Sequence, residues 1–206
     1  MSSVHRMRLR QGTVVVLEGL DCAGKSTQIE RLKDTIASGS AMFAHVPSGL
    51  TDFSRSIYQI LETKSLEPRS GLAKQLAHLA CHAENMPALT EAVTHGGLVL
   101  DRCWWSTLVY GWYAGSVPES GMSEEDFRSL ISTVWASLTP DVVFVFLNSR
   151  QDDDNDPAVM EGYRALADQH PGYAVIVPEG SIEDTERLIL AELSRRGLVT
   201  EMSDPN

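Results

Sequence analysis

The stretch Gly19-Leu-Asp-Cys-Ala-Gly-Lys-Ser-Thr27 fits the spacing G-x-x-x-x-G-K-[ST]. Each residue type there has a use. Glycines let the backbone turn tightly and approach phosphate oxygens, and successive N–H groups at a helix start form an anion cradle. Lys25 is placed to neutralise the β- and γ-phosphates of a nucleotide, and the Ser26 hydroxyl to hold Mg²⁺. The cradle is expected to run over Gly19, Asp21, Ala23, Gly24, Lys25, Ser26 and Thr27. The competing reading is a glycine-rich turn that merely contains Lys-Ser. It is weakened by context, because an apolar run precedes the motif and a helical pattern follows it.

A second constellation lies at Leu98-Val-Leu-Asp101-Arg102. An apolar strand ending in an acid is a usual source of the carboxylate that organises a Mg²⁺ shell, so Ser26 and Asp101 form the candidate metal pair. Arg102 would stand beside it at the carboxyl ends of the strands, where open α/β sheets bind ligands. The plain alternatives are a strand-end turn for Asp101 and a surface ion pair for Arg102. No Asn-Lys-x-Asp guanine-reading motif is present, which weighs against a GTPase.

These residues need a scaffold, and the patterning supplies one. Residues 13–17 (TVVVL), 98–100 (LVL), 142–147 (VVFVFL) and 173–177 (YAVIV) read as strands, with 42–46 (MFAHV) a weaker fifth. Continuous apolar runs suit strands buried on both faces, hence a parallel sheet covered by helices. Helical patterns occupy residues 27–38, 52–63, 71–94, 105–114, 123–138, 157–169 and 182–195. Ser123 and Ser181 are placed as N-caps ahead of acidic residues. Gly39, Gly115 and Gly197 sit where helices should stop. The predicted fold is a three-layer α/β domain of the P-loop NTPase type, with about five parallel strands in its central sheet. One domain is expected over residues 1–206, with short flexible ends at about 1–11 and 199–206 and a lid at about 148–157.

Composition narrows the function classes. Seventeen Lys+Arg against 28 Asp+Glu give a net charge of −11 over 206 residues, unsuited to coating nucleic acid or an anionic membrane. An anionic ligand must therefore be held by a specific site. Three scattered cysteines, Cys22, Cys81 and Cys103, suit a reducing compartment and make no metal knuckle. With no signal peptide and no apolar run long enough to span a bilayer, a cytoplasmic protein without membrane partners is expected.

Taken with their surroundings, these motifs resemble the thymidylate kinase family of nucleoside monophosphate kinases, over about residues 11–197. The P-loop written Glu18-Gly-Leu-Asp-Cys-Ala-Gly-Lys-Ser-Thr-Gln28 looks like that family's version. Asp101-Arg102-Cys103, followed by Ser106 and Tyr110, is similar to its Asp-Arg-Tyr segment. Pro47-Ser-Gly49 resembles its acceptor-side loop, and Ser181-Ile-Glu-Asp184 the stretch near its adenine pocket. The resemblance implies transfer of phosphate from ATP, with Mg²⁺, to a nucleoside 5′-monophosphate, dTMP or a related or modified pyrimidine deoxynucleotide. It assigns Lys25, Asp101 and Arg102 to catalysis. Asp21, Pro47, Arg102 and Tyr110 fall on the acceptor side. It also implies a homodimer built on the long helix of residues 71–94, whose Leu72, Leu76, Leu79, Leu89 and Val93 would equally serve an internal core.

Three departures from the family stand out. His78 and His82 occupy the places of a base-stacking aromatic and a base-binding arginine, one helical turn apart; they either read a changed base or line a half-buried helix. Glu84 and Asn85 could add polar readout. In the P-loop, Cys22 stands where some members carry arginine, and the lid at residues 148–156 is acidic. Arg150 is the candidate transition-state cation there, against a plain surface residue, with Arg164 further along. Cys103 replaces a tyrosine, and Trp104 and Trp105 follow, either as pocket walls or as core. Arg55 is a further candidate for the acceptor phosphate, or a solvent-facing helix residue. Two other functions stay open: a kinase with a different acceptor, such as a hydroxyl on a modified base in DNA, and a non-catalytic nucleotide-binding protein. The net charge counts against a polymer acceptor.

Overall fold

The computed structural model describes residues 6–148 and 156–202. Five parallel strands form the central sheet in the order β3-β4-β2-β5-β6: β2 (Val14–Gly19), β3 (Ala41–His45), β4 (Gly97–Asp101), β5 (Val142–Phe146) and β6 (Ala174–Val177). Every residue of β2 and β5 is buried, so helices cover both faces. That is why these strands read as unbroken Val/Phe runs rather than as alternation. The sheet of five is as expected, each strand lying within a residue or two of its predicted place.

Around it pack α1 (Lys25–Thr35), α2 (Asp52–Glu62), α3 (Gly71–His95), α4 (Trp104–Leu108), α5 (Glu124–Val134), α6 (Pro157–Gln169) and α7 (Ile182–Arg195). Ser123 and Ser181 cap α5 and α7 as expected, Ser181 in a reciprocal pair with Asp184. The predicted helix over 105–114 divides instead. Regular turns end at Leu108, and a π-helical turn, Val109–Tyr113, follows. Helix α5 stops at Val134, short of the expected 138.

Of the ends expected to be flexible, residues 6–11 and 199–202 are described, and these contain paired strands. Met7–Leu9 forms β1, which pairs antiparallel with β7, Val199–Glu201. Leu9, the last residue of β1, is buried, and a Cβ at Gly97 would come within 2.3 Å of its side chain. A side chain packed that closely anchors the segment.

Strand β2 lies between β4 and β5, so the order of connections reverses at its carboxyl end. His45, Asp101 and Leu17 sit at matched register there. A crevice opens at that switch point, where ligands of such sheets bind.

Candidate active site

Strand β2 ends at Gly19, where φ is 125° and a Cβ would fall 2.1 Å from the Phe146 carbonyl oxygen. No side chain fits. Cys22 and Gly24 also take left-handed conformations, φ 53° and 95°, which fold the loop back over the start of α1. Lys25 opens that helix and is 6% exposed; its Nζ donates to the carbonyls of Gly19 (3.1 Å) and Leu20. Burial, with the nearby Arg102 charge, pushes its pKa down to about 8. Asp21, Ala23, Gly24, Ser26 and Thr27 line a cleft of about 1100 Å³, which extends from this loop past Arg102 to α3. Behind the loop, Gln28 donates to the Ile182 carbonyl (2.9 Å) and Arg31 pairs with Glu183 and Glu186. The Ser181–Asp184 stretch is thus brought beside the P-loop.

Asp101 closes β4. Its Oδ2 accepts a hydrogen bond from His45 Nδ1 at 3.0 Å, while Oδ1 is buried and without a partner among the described residues. Burial works to raise its pKa, but the His45 hydrogen bond and the charges of His45, Lys25 and Arg102 outweigh it and hold the carboxyl below its ordinary value. An ionised carboxylate with one unengaged oxygen and an exposed Ser26 hydroxyl suit Mg²⁺, which is usually held by one or two protein oxygens plus substrate phosphates. Among the described residues no group of three His, Cys, Asp or Glu could hold a metal on its own.

Arg102 adopts φ 72° and turns back over the P-loop. Its guanidinium donates to the Gly19 carbonyl (3.2 Å), Ser106 Oγ (3.1 Å) and Tyr163 OH (3.2 Å), pairs with Asp21, and lies 5.6 Å from the ring centre of Tyr110. Beneath it is a residue whose role sequence reasoning missed. Glu18 is fully buried and accepts hydrogen bonds from the Cys103 N–H (2.7 Å), the Ser106 N–H (3.1 Å), Ser106 Oγ (2.7 Å) and Tyr163 OH (3.0 Å), with Arg102 4.0 Å away. One carboxylate therefore joins β2, the turn after β4, and α6.

The other expected residues divide. Pro47, which follows a cis peptide, lines the cleft, and its carbonyl accepts from Asn85 Nδ2 at 2.8 Å. Asn85 supports that loop instead of facing a base, and Glu84 is exposed. His78 is half-buried on the cleft wall with its ring edge toward Tyr58; burial and Lys74 push its pKa down to about 4. His82 borders the cleft but is 1% exposed. Its Nε2 meets Thr107 Oγ1 at 3.1 Å and its ring packs edge-on against Trp135. Its Nδ1 is buried with no partner among the described residues.

Arg55 is a correction. It is exposed, donates to the Gly49 carbonyl (2.7 Å), pairs with Asp52, and does not line the cleft. Ser54 and Leu61 turn inward on α2, which carries the neighbouring position 55 outward. Trp105 is fully buried among His170 and Tyr173, which settles the tryptophan question for core packing at that position. Arg164 is exposed on α6. Arg150 lies outside the described residues.

Burial and the neighbouring His78 drive the His82 pKa down to about 3, against an ordinary 6.5. The unfolded chain takes up a proton below pH 6.5 that the folded chain refuses until about 3. Stability is therefore complete above pH 6.5 and falls as pH drops through that window, by roughly 1.4 kcal/mol per unit. Urea unfolding at pH 7 and pH 5 is expected to differ by about 2 kcal/mol from this residue alone. His82→Gln should remove that part; an unchanged difference in the variant would rule His82 out.

Known proteins resemble this chain in sequence and in fold. The family model for thymidylate kinase matches residues 17–155. The thymidylate kinase of Chlorobium chlorochromatii is 28% identical over 89% of this chain and 95% of its own length; that of Desulfovibrio desulfuricans is 28% identical over 89% and 97%. Among solved structures, thymidylate kinase from Ehrlichia chaffeensis superposes with a TM-score of 0.71 at 20% identity, covering 88% of this chain and 98% of that one. The Candida albicans thymidylate kinase gives 0.68 at 17% identity, covering 96% and 99%.

Proposed function

The chain belongs to the thymidylate kinase family, and from that premise we propose that it transfers the γ-phosphate of ATP, with Mg²⁺, to the 5′-phosphate of dTMP, giving dTDP. One observation carries the reading. Lys25 and Arg102 both donate to the Gly19 carbonyl, at 3.1 and 3.2 Å, so a donor-side and an acceptor-side cation are anchored on one atom at the bottom of one cleft. Phosphoryl transfer needs positioning and charge neutralisation more than covalent chemistry, and this arrangement offers both.

In this reading the P-loop N–H groups and Lys25 hold the donor phosphates. Arg102 exchanges its exposed partner Asp21 for the acceptor phosphate, while Glu18, Ser106 and Tyr163 keep the guanidinium aimed. Mg²⁺, held by Ser26 and Asp101, would supply further charge neutralisation across the phosphate oxygens. Tyr110 and Pro47 flank the acceptor, and Arg150 is the proposed cation that meets the transferring group. The homodimer belongs to the same reading. Leu79 and Leu89 of the apolar stripe are spent on the internal core, but Leu76, with Phe53 and Ile60 on the adjoining α2, stays exposed for a second copy. We place the protein in the cytoplasm; no described helix is long and apolar enough to cross a membrane.

The test is ATP-to-ADP conversion with Mg²⁺ against a panel of ribo- and deoxynucleoside monophosphates. Turnover is expected only when an acceptor is added, fastest with dTMP. No turnover across the panel would overturn the reading and return belief to a polymer acceptor or a non-catalytic binder.

A further inference from the structure

We propose that Gln75 is a specificity-determining residue that reads the hydrogen-bonding edge of the acceptor's pyrimidine base; the inference rests on the kinase reading above. Residues 75, 78 and 82 are spaced by three and four along α3, so they share one stripe of the helix, and all three line the cleft. Lys25 and Arg102 fix the phosphate end of that cleft. The base must then extend away from them, along this stripe.

The stripe is neutral. His78 and His82 are held unprotonated by burial, and the nearby Lys74 is engaged with Glu67. Gln75 is 4% exposed, and its Oε1 is buried with no partner among the described residues. A buried acceptor left unpaired is unfavourable, and a ligand that brings a donor relieves it. The side chain is also given room. At Gly111, in the π-helical turn, a Cβ would lie 2.8 Å from Gln75 Cγ and 3.0 Å from Phe127 Cζ. A glycine there lets the glutamine stem cross the turn and deliver its amide to the cleft.

A carboxamide carries an acceptor and a donor side by side. That pair complements the N3–H and C4 carbonyl of thymine or uracil and, with the amide turned over, the N3 and 4-amino group of cytosine. Either pyrimidine edge is therefore accepted, and discrimination is strong against an acceptor that brings no such edge, because the buried amide is then left unpaired.

The experiment measures steady-state kinetics of the full chain and two variants with Mg-ATP and dTMP, dUMP or dCMP. Gln75→Met keeps the length and removes the hydrogen bonds. It is expected to lower kcat/KM for dTMP by about tenfold or more, with KM for ATP unchanged. Gln75→Glu offers acceptors only, so the acceptor atom of either base, O4 of thymine or N3 of cytosine, faces a carboxylate; it should lower kcat/KM for dTMP and dCMP alike by about tenfold or more, with KM for ATP unchanged. Thermal unfolding monitors both; if the glutamate variant fails to fold, the methionine variant decides. An active wild type whose Gln75→Met variant keeps the wild-type dTMP kinetics overturns this inference and leaves the kinase reading standing. So does a fall that is equal for all acceptors and for ATP, which marks a structural role. A wild type inactive on every monophosphate overturns both.

Discussion

Lys25→Met is expected to lower kcat by about 10³-fold or more while leaving the protein folded. Methionine reaches nearly as far as lysine but carries no charge, so the variant isolates the ammonium. The contrast between activity and stability makes the experiment informative. A lysine whose pKa falls from 10.5 to about 8 is destabilising in its protonated form, by roughly 3 kcal/mol on that shift. The methionine variant is relieved of that cost but leaves the Gly19 and Leu20 carbonyls without the Nζ donor, a loss of about 1–3 kcal/mol. The two contributions nearly cancel, so the variant should unfold within a few degrees of the wild type. Their pH dependences differ. Between pH 8 and 10.5 the unfolded chain retains a proton that folded Lys25 has released, so wild-type stability gains with rising pH from this group. The methionine variant lacks that gain. Undiminished turnover would remove Lys25 from the mechanism, and a collapse of the fold would make it a structural residue.

The P-loop was legible because its information is local: nine consecutive residues, Gly19 to Thr27, determine a loop conformation whatever surrounds them. The central strands were legible for a related reason, since burial on both faces writes itself into each segment as an apolar run. What escaped is what several segments make together. Glu18 was visible as part of the motif, but its donors come from Cys103, Ser106 and Tyr163, the last 145 positions away. Nothing in a lone tyrosine on α6 announces that bond. Arg55 fails in the opposite way. Its residue type suited a phosphate, but the side toward which a helix arginine turns depends on which neighbours are buried, here Ser54 and Leu61. His45 was within reach of inference, for it ends a strand in register with Asp101. Strands β1 and β7 are three residues each, too short to show a period. Gln75 offered no signal at all, because a single glutamine on a helix is ordinarily solvated, and only the glycine at 111 and the orphaned oxygen distinguish it.

Glu18→Ala should be the most destabilising change at the site, by about 3–5 kcal/mol in urea unfolding, because it leaves four donors and a buried guanidinium without their acceptor. Such a loss alone would say little about function. Glu18→Gln separates the two roles. The amide oxygen can replace Oε1 in accepting from the Cys103 and Ser106 N–H groups. The hydroxyls of Ser106 and Tyr163 can rotate to accept from the amide nitrogen, so most of the packing and bonding survives. The negative charge 4.0 Å from Arg102 does not survive. Without it the guanidinium is drawn more strongly to its exposed partner Asp21, which competes with the acceptor phosphate. Glu18→Gln is therefore expected to lose only about 1–2 kcal/mol of stability but to raise KM for dTMP about tenfold, with KM for ATP within twofold of the wild type. Equal effects on both substrates would mean that Glu18 supports the cleft as a whole. A selective effect on dTMP assigns its charge to the aim of Arg102, so that a buried carboxylate with no access to substrate governs how the acceptor phosphate is held.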